Sequence, residues 1–485
     1  MPTRTLRRSG RASVQGAAGR LATLQVYGAA ALLAAFLVWV STFGFIVMLA
    51  AIVVAVLVLL LAVLGSERMG YLLLLGAFFT APSYKGFAPS EGSPVTGTDL
   101  LFVAAFGLLL PTLLQGRVRL PTLYFAGVGL VFSTGLISSA LSAAPLISLI
   151  SLMFWMIVMI GLPVAMSLLA PSGKLVDLMA AAFVAGQLFS LTYGVARGYV
   201  AQGRHAGFST HPNYFAQAGM LGLALCIYLA YRHRNRLLFL IAPAAAACGI
   251  SVILSGSRAA TVVVAVLILM VPVVERSALT GFLFAALGAL TFLLLPFIAG
   301  YAGEGSSIAR LAEGDTSARY SNTARSLGIA EGVARFFDHP LRGTGLIELY
   351  EIHNNFLEVA VAIGIFGLVG YLMVLYTFAR PLFSLGEYRR LCYCVWGYMG
   401  FGATVPSLYD RSIWAVMALS VVAMIEYERR RLDRAPDGRG GPGGPGHLTG
   451  PARRVGPGPG VRRRPPVAPD RLVPTPSSTD PESTR

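Results

Sequence analysis

The chain is 485 residues long, 55 % hydrophobic and only 12 % charged, a balance that excludes an ordinary soluble domain. Its formal net charge of +16 does not collect into the compact basic patch that nucleic acid would require, so no nucleic acid partner is expected. Instead Arg4, Arg7, Arg8, Arg11 and Arg20 crowd the start and Arg453, Arg454, Arg462, Arg463 and Arg464 lie near the end, the pattern of cytoplasmic flanks that also meet anionic lipid.

Residues 1–22 read as a basic, disordered segment, and the apolar run after them as a retained helix rather than a signal peptide. Apolar stretches fall at 24–41, 43–64, 69–82, 97–114, 120–142, 146–170, 174–196, 213–231, 236–254, 258–275, 279–300, 355–379, 387–405 and 411–427. Most can cross about 30 Å of hydrocarbon as a helix. The expected fold is all-α, a polytopic transmembrane bundle of about 12–14 helices, the lower number holding if 69–82 and 97–114 are re-entrant. Residues 23–300 would hold the first eleven helices, 301–354 an extracytoplasmic loop with a short amphipathic helix, and 355–430 the last helices. The Gly/Pro/Arg-rich stretch 431–485 has almost no aliphatic content and reads as a disordered cytoplasmic tail. Cys226, Cys248, Cys392 and Cys394 all lie in apolar segments, with neither a disulfide framework nor a metal-ligand spacing.

Sidedness follows from the short loops. Arg117 and Arg119, Lys174, Arg232 to Arg236, Arg276, and Arg389 with Arg390 mark alternate connections, which places these loops and both termini in the cytoplasm. The opposite connections are then 82–97, 197–213, 255–258, 300–354 and 405–411. Against the usual bias they carry Arg197, Arg204, Arg258, Arg310, Arg319, Arg325, Arg335, Arg342 and Arg411. An arginine at a helix end can snorkel to headgroups, but so many on one side fit an anionic ligand better.

Four motifs occupy those connections. Arg204–Asn213 precedes a helix and reads as its entry, with Ser209 or Thr210 as cap and Pro212 in the first turn. That leaves Arg204 and His211 unexplained beside a helix N-terminus, a ready anion site. Ser255-Gly256-Ser257-Arg258 reads as a turn with Ser257 as N-cap, to which Arg258 adds a fork of donors suited to phosphate. Asn322 to Phe337 reads as an amphipathic helix ending at His339-Pro340; arginines on its wet face are the plain reading, which suits Arg335 better than Arg325 at the helix entry. His353-Asn354-Asn355 opens the next apolar helix, with Glu358 one turn in, where an ionisable group is expensive unless paired or functional. A neutral imidazole there can take a proton from a hydroxyl.

Taken in order, Arg204…His211-Pro212-Asn213, Ser255-Gly256-Ser257-Arg258, Arg325…His339-Pro340-Leu341…Gly343-x-Gly345 and His353-Asn354-x-x-Leu357-Glu358…Gly364…Gly367 resemble the O-antigen ligase/polymerase superfamily, over roughly 120–427. Many relatives carry an aromatic residue where this chain has Ile329. The resemblance implies a membrane glycosyltransferase of cell-surface polysaccharide synthesis, a polymerase or a ligase. Such an enzyme moves a glycan from a polyprenyl (undecaprenyl) pyrophosphate carrier to a glycan or glycolipid hydroxyl, without cofactor or metal. It further implies that Arg204 and Arg325 hold the pyrophosphate and that His353 is the catalytic base. Arg258 and Arg411 would be further cations, with His211, Asn213, Asn354 and Glu358 supporting. Membrane lipids and chain-length or export proteins are the other partners such an enzyme can have. The alternative from a different class is a lipid-linked oligosaccharide flippase.

Overall fold

A computed structural model describes residues 45–90, 93–200, 203–233, 237–293, 305–312, 316–347 and 352–434, with a few isolated positions before 45. The chain divides into two units, Met1–Arg434 and Ala435–Arg485. The second unit, nearly all of the first expected helix and the basic N-terminal segment lie outside the described residues. Among the described residues the architecture is helical throughout, without strands.

In chain order the longer helices are α1 (Phe45–Leu64), α2 (Ser66–Thr80), α3 (Gly97–Leu108), α4 (Thr122–Ala140), α5 (Pro145–Leu169), α6 (Gly173–Arg197), α7 (Pro212–Arg232), α8 (Leu238–Leu254), α9 (Arg258–Glu275), α10 (Ala278–Leu293), α11 (Thr316–Asp338), α12 (Asn355–Ala379), α13 (Tyr393–Gly402) and α14 (Arg411–Arg434), and short helices stand at Leu110–Gln115 and Ser307–Ala312. Six elements among the described residues are long and apolar enough to cross a membrane: α4, α5, α6, α7, α9 and α12 with its 3₁₀ extension to Phe383.

Prolines and glycines decide where expectation and structure part. The stretch at 69–82 runs on through Pro82 into a 3₁₀ segment, Ala81–Phe87. That at 97–114 splits at Leu109, just before Pro111, into α3 and the short helix Leu110–Gln115. The expected span at 387–405 is shortened: a 3₁₀ turn at Arg389–Cys392 leads directly into α13, which ends at Gly402, and this element is not among those long and apolar enough to cross. The last helix runs beyond 427 to Arg434.

The core centres on α14, where Ile413 to Leu419 are all buried, including Trp414. Elsewhere backbones approach closely, as expected where small residues let apolar helices pack. A Cβ on Gly127 of α4 would lie 2.6 Å from the Gly370 carbonyl of α12, and one on Gly370 would lie 2.7 Å from the Gly127 carbonyl.

α12 is broken at Gly364, whose φ of +75° is open to glycine but rarely to other residues. The backbone groups released there are satisfied by the chain leaving α11. The N–H of Thr344 donates to Val361 O (2.8 Å), that of Gly345 to Ala362 O (2.9 Å), and that of Ile365 to Pro340 O (2.9 Å). A broken helix inside a bundle is tolerated under that condition. The His339-Pro340-Leu341…Gly343-x-Gly345 and Gly364 motifs are therefore two halves of one joint, which ties α11 to α12.

The connections gather at two ends. At one, Arg411 bonds Asp99 and Pro94, Arg204 bonds Ser255, Arg310 bonds Gly256, and Arg258 bonds Asn322. Gly86 packs on the Phe208 backbone and joins the Arg411 group to the Arg204 group, so all five segments expected on one side meet. At the other end Asp177 pairs with Arg232, and Glu275 with both Arg389 and Arg390.

Candidate functional site

The site starts from the loop between α6 and α7. Gly207 (φ +59°) packs so closely on Ser190 that a Cβ would lie 2.4 Å from its hydroxyl, and Phe208 N–H donates to that same Oγ. His205 N–H donates to Leu254 O (3.0 Å), which docks the loop on the end of α8. Thus held, Arg204 donates from Nε to Ser255 O (2.7 Å) and from Nη2 to Asn213 Oδ1 (3.0 Å).

Ser255-Gly256-Ser257 does more than turn. Gly256 O accepts from Arg310 Nη1 (2.8 Å), so successive carbonyls of one turn anchor guanidiniums from two different loops. A Cβ on Gly256 (φ +68°) would sit 2.3 Å from Gly305 O and 2.9 Å from Arg204 Nε. Ser257 stands at the N-cap of α9, but its hydroxyl makes no capping bond, contrary to the sequence expectation. Arg258 follows and donates to Asn322 Oδ1 on α11 (2.5 Å).

Arg204, Arg258, Arg310 and Arg325 therefore form one cluster. Burial, then the neighbouring Arg310 and Arg325, push Arg204 down to about 10. Burial, Arg258 and Arg310 push Arg325 the same way. Among the described residues no carboxylate pairs with Arg204, Arg258 or Arg325, and the buried Nε of Arg325 makes no hydrogen bond. Cations this close repel one another, and an anion between them would relieve both the repulsion and the lost hydration. Arg325 thus lies on the inner face of α11, away from the wet face.

His211, not Ser209 or Thr210, caps α7. Its Nδ1 accepts from Asn213 N–H (3.1 Å), which leaves Nε2 to carry the proton of the neutral ring. Burial, then Arg204, Lys85 and His353, push His211 down to about 4. His211 reaches the arginine cluster through Asn213, and His353 is near enough to act on its charge. His353 sits at strained backbone, with φ +58°, and so does Thr210, just before the extended His211, at +66°. Asn354 caps α12, its Oδ1 accepting from Phe356 and Leu357 N–H.

Beside the cluster opens a cavity of about 930 Å³, lined among others by Lys85, His211, Tyr214, Glu358, Asp410 and Arg411. Glu358 is 2 % exposed and its Oε1 has no hydrogen-bond partner. Arg411 sits in this wall rather than in the cluster, its three nitrogens donating to Asp99, Tyr409 O and Pro94 O. Arg335 pairs with Glu331, Arg342 lies against His339, and the Arg319 side chain falls outside the described residues.

Sequence reasoning assigned no role to Lys85, Tyr84, Asp410 or Gln217. Tyr84 and Gln217 donate to the two Asp410 oxygens, and Lys85 Nζ lies 3.5 Å from the centre of the Tyr214 ring. Burial raises Asp410 and lowers Lys85. Lys85, one of only two lysines, carried the one available signal. The sequence matches no family model and no curated protein.

Proposed function

We propose that this chain is an integral-membrane glycosyltransferase acting on lipid-linked glycan at the extracytoplasmic face, with both termini cytoplasmic. The observation that carries the proposal is the arginine cluster, in which three connecting segments bring four guanidiniums together and Arg204, Arg258 and Arg325 have no carboxylate partner among the described residues.

A polyprenyl pyrophosphate is the matching donor. As the bond from sugar C1 to the pyrophosphate oxygen breaks, charge grows on the leaving group, so fixed guanidiniums stabilise the transition state more than the ground state. An acceptor hydroxyl in the adjoining cavity attacks C1, its proton passes to His353, and polyprenyl pyrophosphate departs. His211, held neutral, can donate a hydrogen bond but serves poorly as the base, because its Nδ1 already accepts from Asn213. Hydroxyls, aromatic rings and the Glu358 carboxylate in the cavity wall suit a sugar. Polymerase and ligase differ only in the acceptor that enters, and the same machinery serves both.

The test is the full chain reconstituted with a polyprenyl-pyrophosphate oligosaccharide and an acceptor glycan, scored for glycan growth and carrier release. Release with transfer, persisting in excess chelator, is expected because guanidiniums do the work a divalent ion would otherwise do. Donor crossing the bilayer without release would identify a flippase and overturn the proposal.

A further inference from the structure

Amphipathic α11 has three faces. Arg325, Gly332 and Phe336 turn inward, where Gly332 packs on Ile352 and Leu357. Glu331, Arg335 and Asp338 form a polar face, the first two paired with each other. The third face is apolar and bare: Leu327 is 66 % exposed, Phe337 is 71 %, and Ala330, Val333 and Ala334 between them are exposed too. Their spacing of three and four residues makes one continuous stripe.

The spans indicate what covers that stripe. α9 has 18 residues, about 27 Å, so its first residue, Arg258, stands at the bilayer surface, and Arg258 bonds Asn322 near the start of α11. At the far end the joint fixes Pro340 to Ile365 of α12. The span Asn355–Phe383 is 29 residues, about 43 Å, or some 13 Å more than the hydrocarbon needs. Counted up from Phe383, the surface falls near Gly364. α4 gives the same level independently. Its 19 residues cross with little to spare, and Ser138, near its end, donates to Ala362 O. Asn322 and the C-terminal end of α11 are therefore at the surface, and the stretch of helix joining them lies in its plane.

We infer that α11 is an interfacial helix whose Leu327, Ala330, Val333, Ala334 and Phe337 insert among the acyl chains of bilayer phospholipid, with Glu331 and Arg335 toward water. Leu341, 64 % exposed, and Arg342 extend the contact past the joint, apolar side chain to the chains and cation to the phosphates. This seats Arg325 at headgroup height, where a lipid's phosphates lie. The inference needs only that α4, α9 and α12 cross a bilayer, and it stands apart from the reaction proposed above.

The experiment labels single cysteines with an environment-sensitive fluorophore on the full chain in nanodiscs of defined phospholipid, free of polyprenyl lipid. The four native cysteines are all buried, so background labelling is low. Labels at Ala330→Cys and Phe337→Cys should emit blue-shifted and be quenched several-fold more by lipids with nitroxide-bearing chains than labels at Glu331→Cys and Arg335→Cys. Equal, water-like emission at all four positions would overturn the inference. So would a blue shift at 330 and 337 without lipid quenching, which would mean a second protein copy covers the stripe. Thermal midpoints of the four variants confirm that each is folded.

Discussion

Arg204 has its Nε and one Nη spoken for, by Ser255 O and Asn213, and is held rigid with part of its donor fork free for a ligand. His353 is kept by the fold in a backbone conformation that costs a non-glycine residue of order 1–3 kcal/mol, strain of the kind that gathers at functional sites. Replacing His353 with Ala should lower turnover by about 10²–10⁴-fold and leave donor binding unchanged, as single-turnover kinetics and a binding isotherm would show. His211 gives a pH signature. The unfolded chain protonates it near its ordinary value of about 6.5 and the folded chain only near 4, so its contribution to stability is whole above pH 6.5 and is lost as pH falls from there through 4. Thermal midpoints over that window should fall more steeply for wild type than for His211→Gln. At this scale the sequence exposed Arg204, Arg258, Arg325 and His353, because arginine and histidine are conspicuous in apolar surroundings. It hid Asp410, Gln217 and Tyr84, whose meeting depends on helices far apart in the chain.

Among elements, the joint between α11 and α12 governs the site's geometry. A Cβ on Gly364 would lie 2.2 Å from Leu341 O at a φ of +75°, so Gly364→Ala should both strain the backbone and eject the loop. Its thermal midpoint in detergent should drop by the equivalent of about 1–3 kcal/mol. Gly107→Ala, where a Cβ meets nothing within 4 Å, should change it little. Apolar length and turn residues announced most of the helices in advance, since each depends on local sequence. Periodicity could not reveal the break in α12, because Gly364 sits in an unbroken apolar run and is forced open by a loop some twenty residues earlier. Nor could it show that Ser257 would fail to cap α9 while its turn anchored two arginines.

For the molecule as a whole, alternating connections sort to two ends, and the arginines unexplained by the usual charge bias gather at one of them. There they divide by task. Arg204, Arg258, Arg310 and Arg325 form the cluster proposed to hold an anion, while Arg411 fastens the 405–411 connection to Asp99 and Pro94. In the function proposed, the first group reads a pyrophosphate. That claim is tested most directly by the affinity of the full chain, in nanodiscs, for a polyprenyl pyrophosphate and for the corresponding monophosphate. Wild type should prefer the pyrophosphate, and Arg204→Gln and Arg325→Gln should each weaken it by about ten- to a hundredfold, the range of a lost charged hydrogen bond. Arg335→Gln, on the polar face of α11, should bind as wild type does. Equal affinity for the two lipids, or pyrophosphate binding untouched in both cluster variants, would contradict the claim.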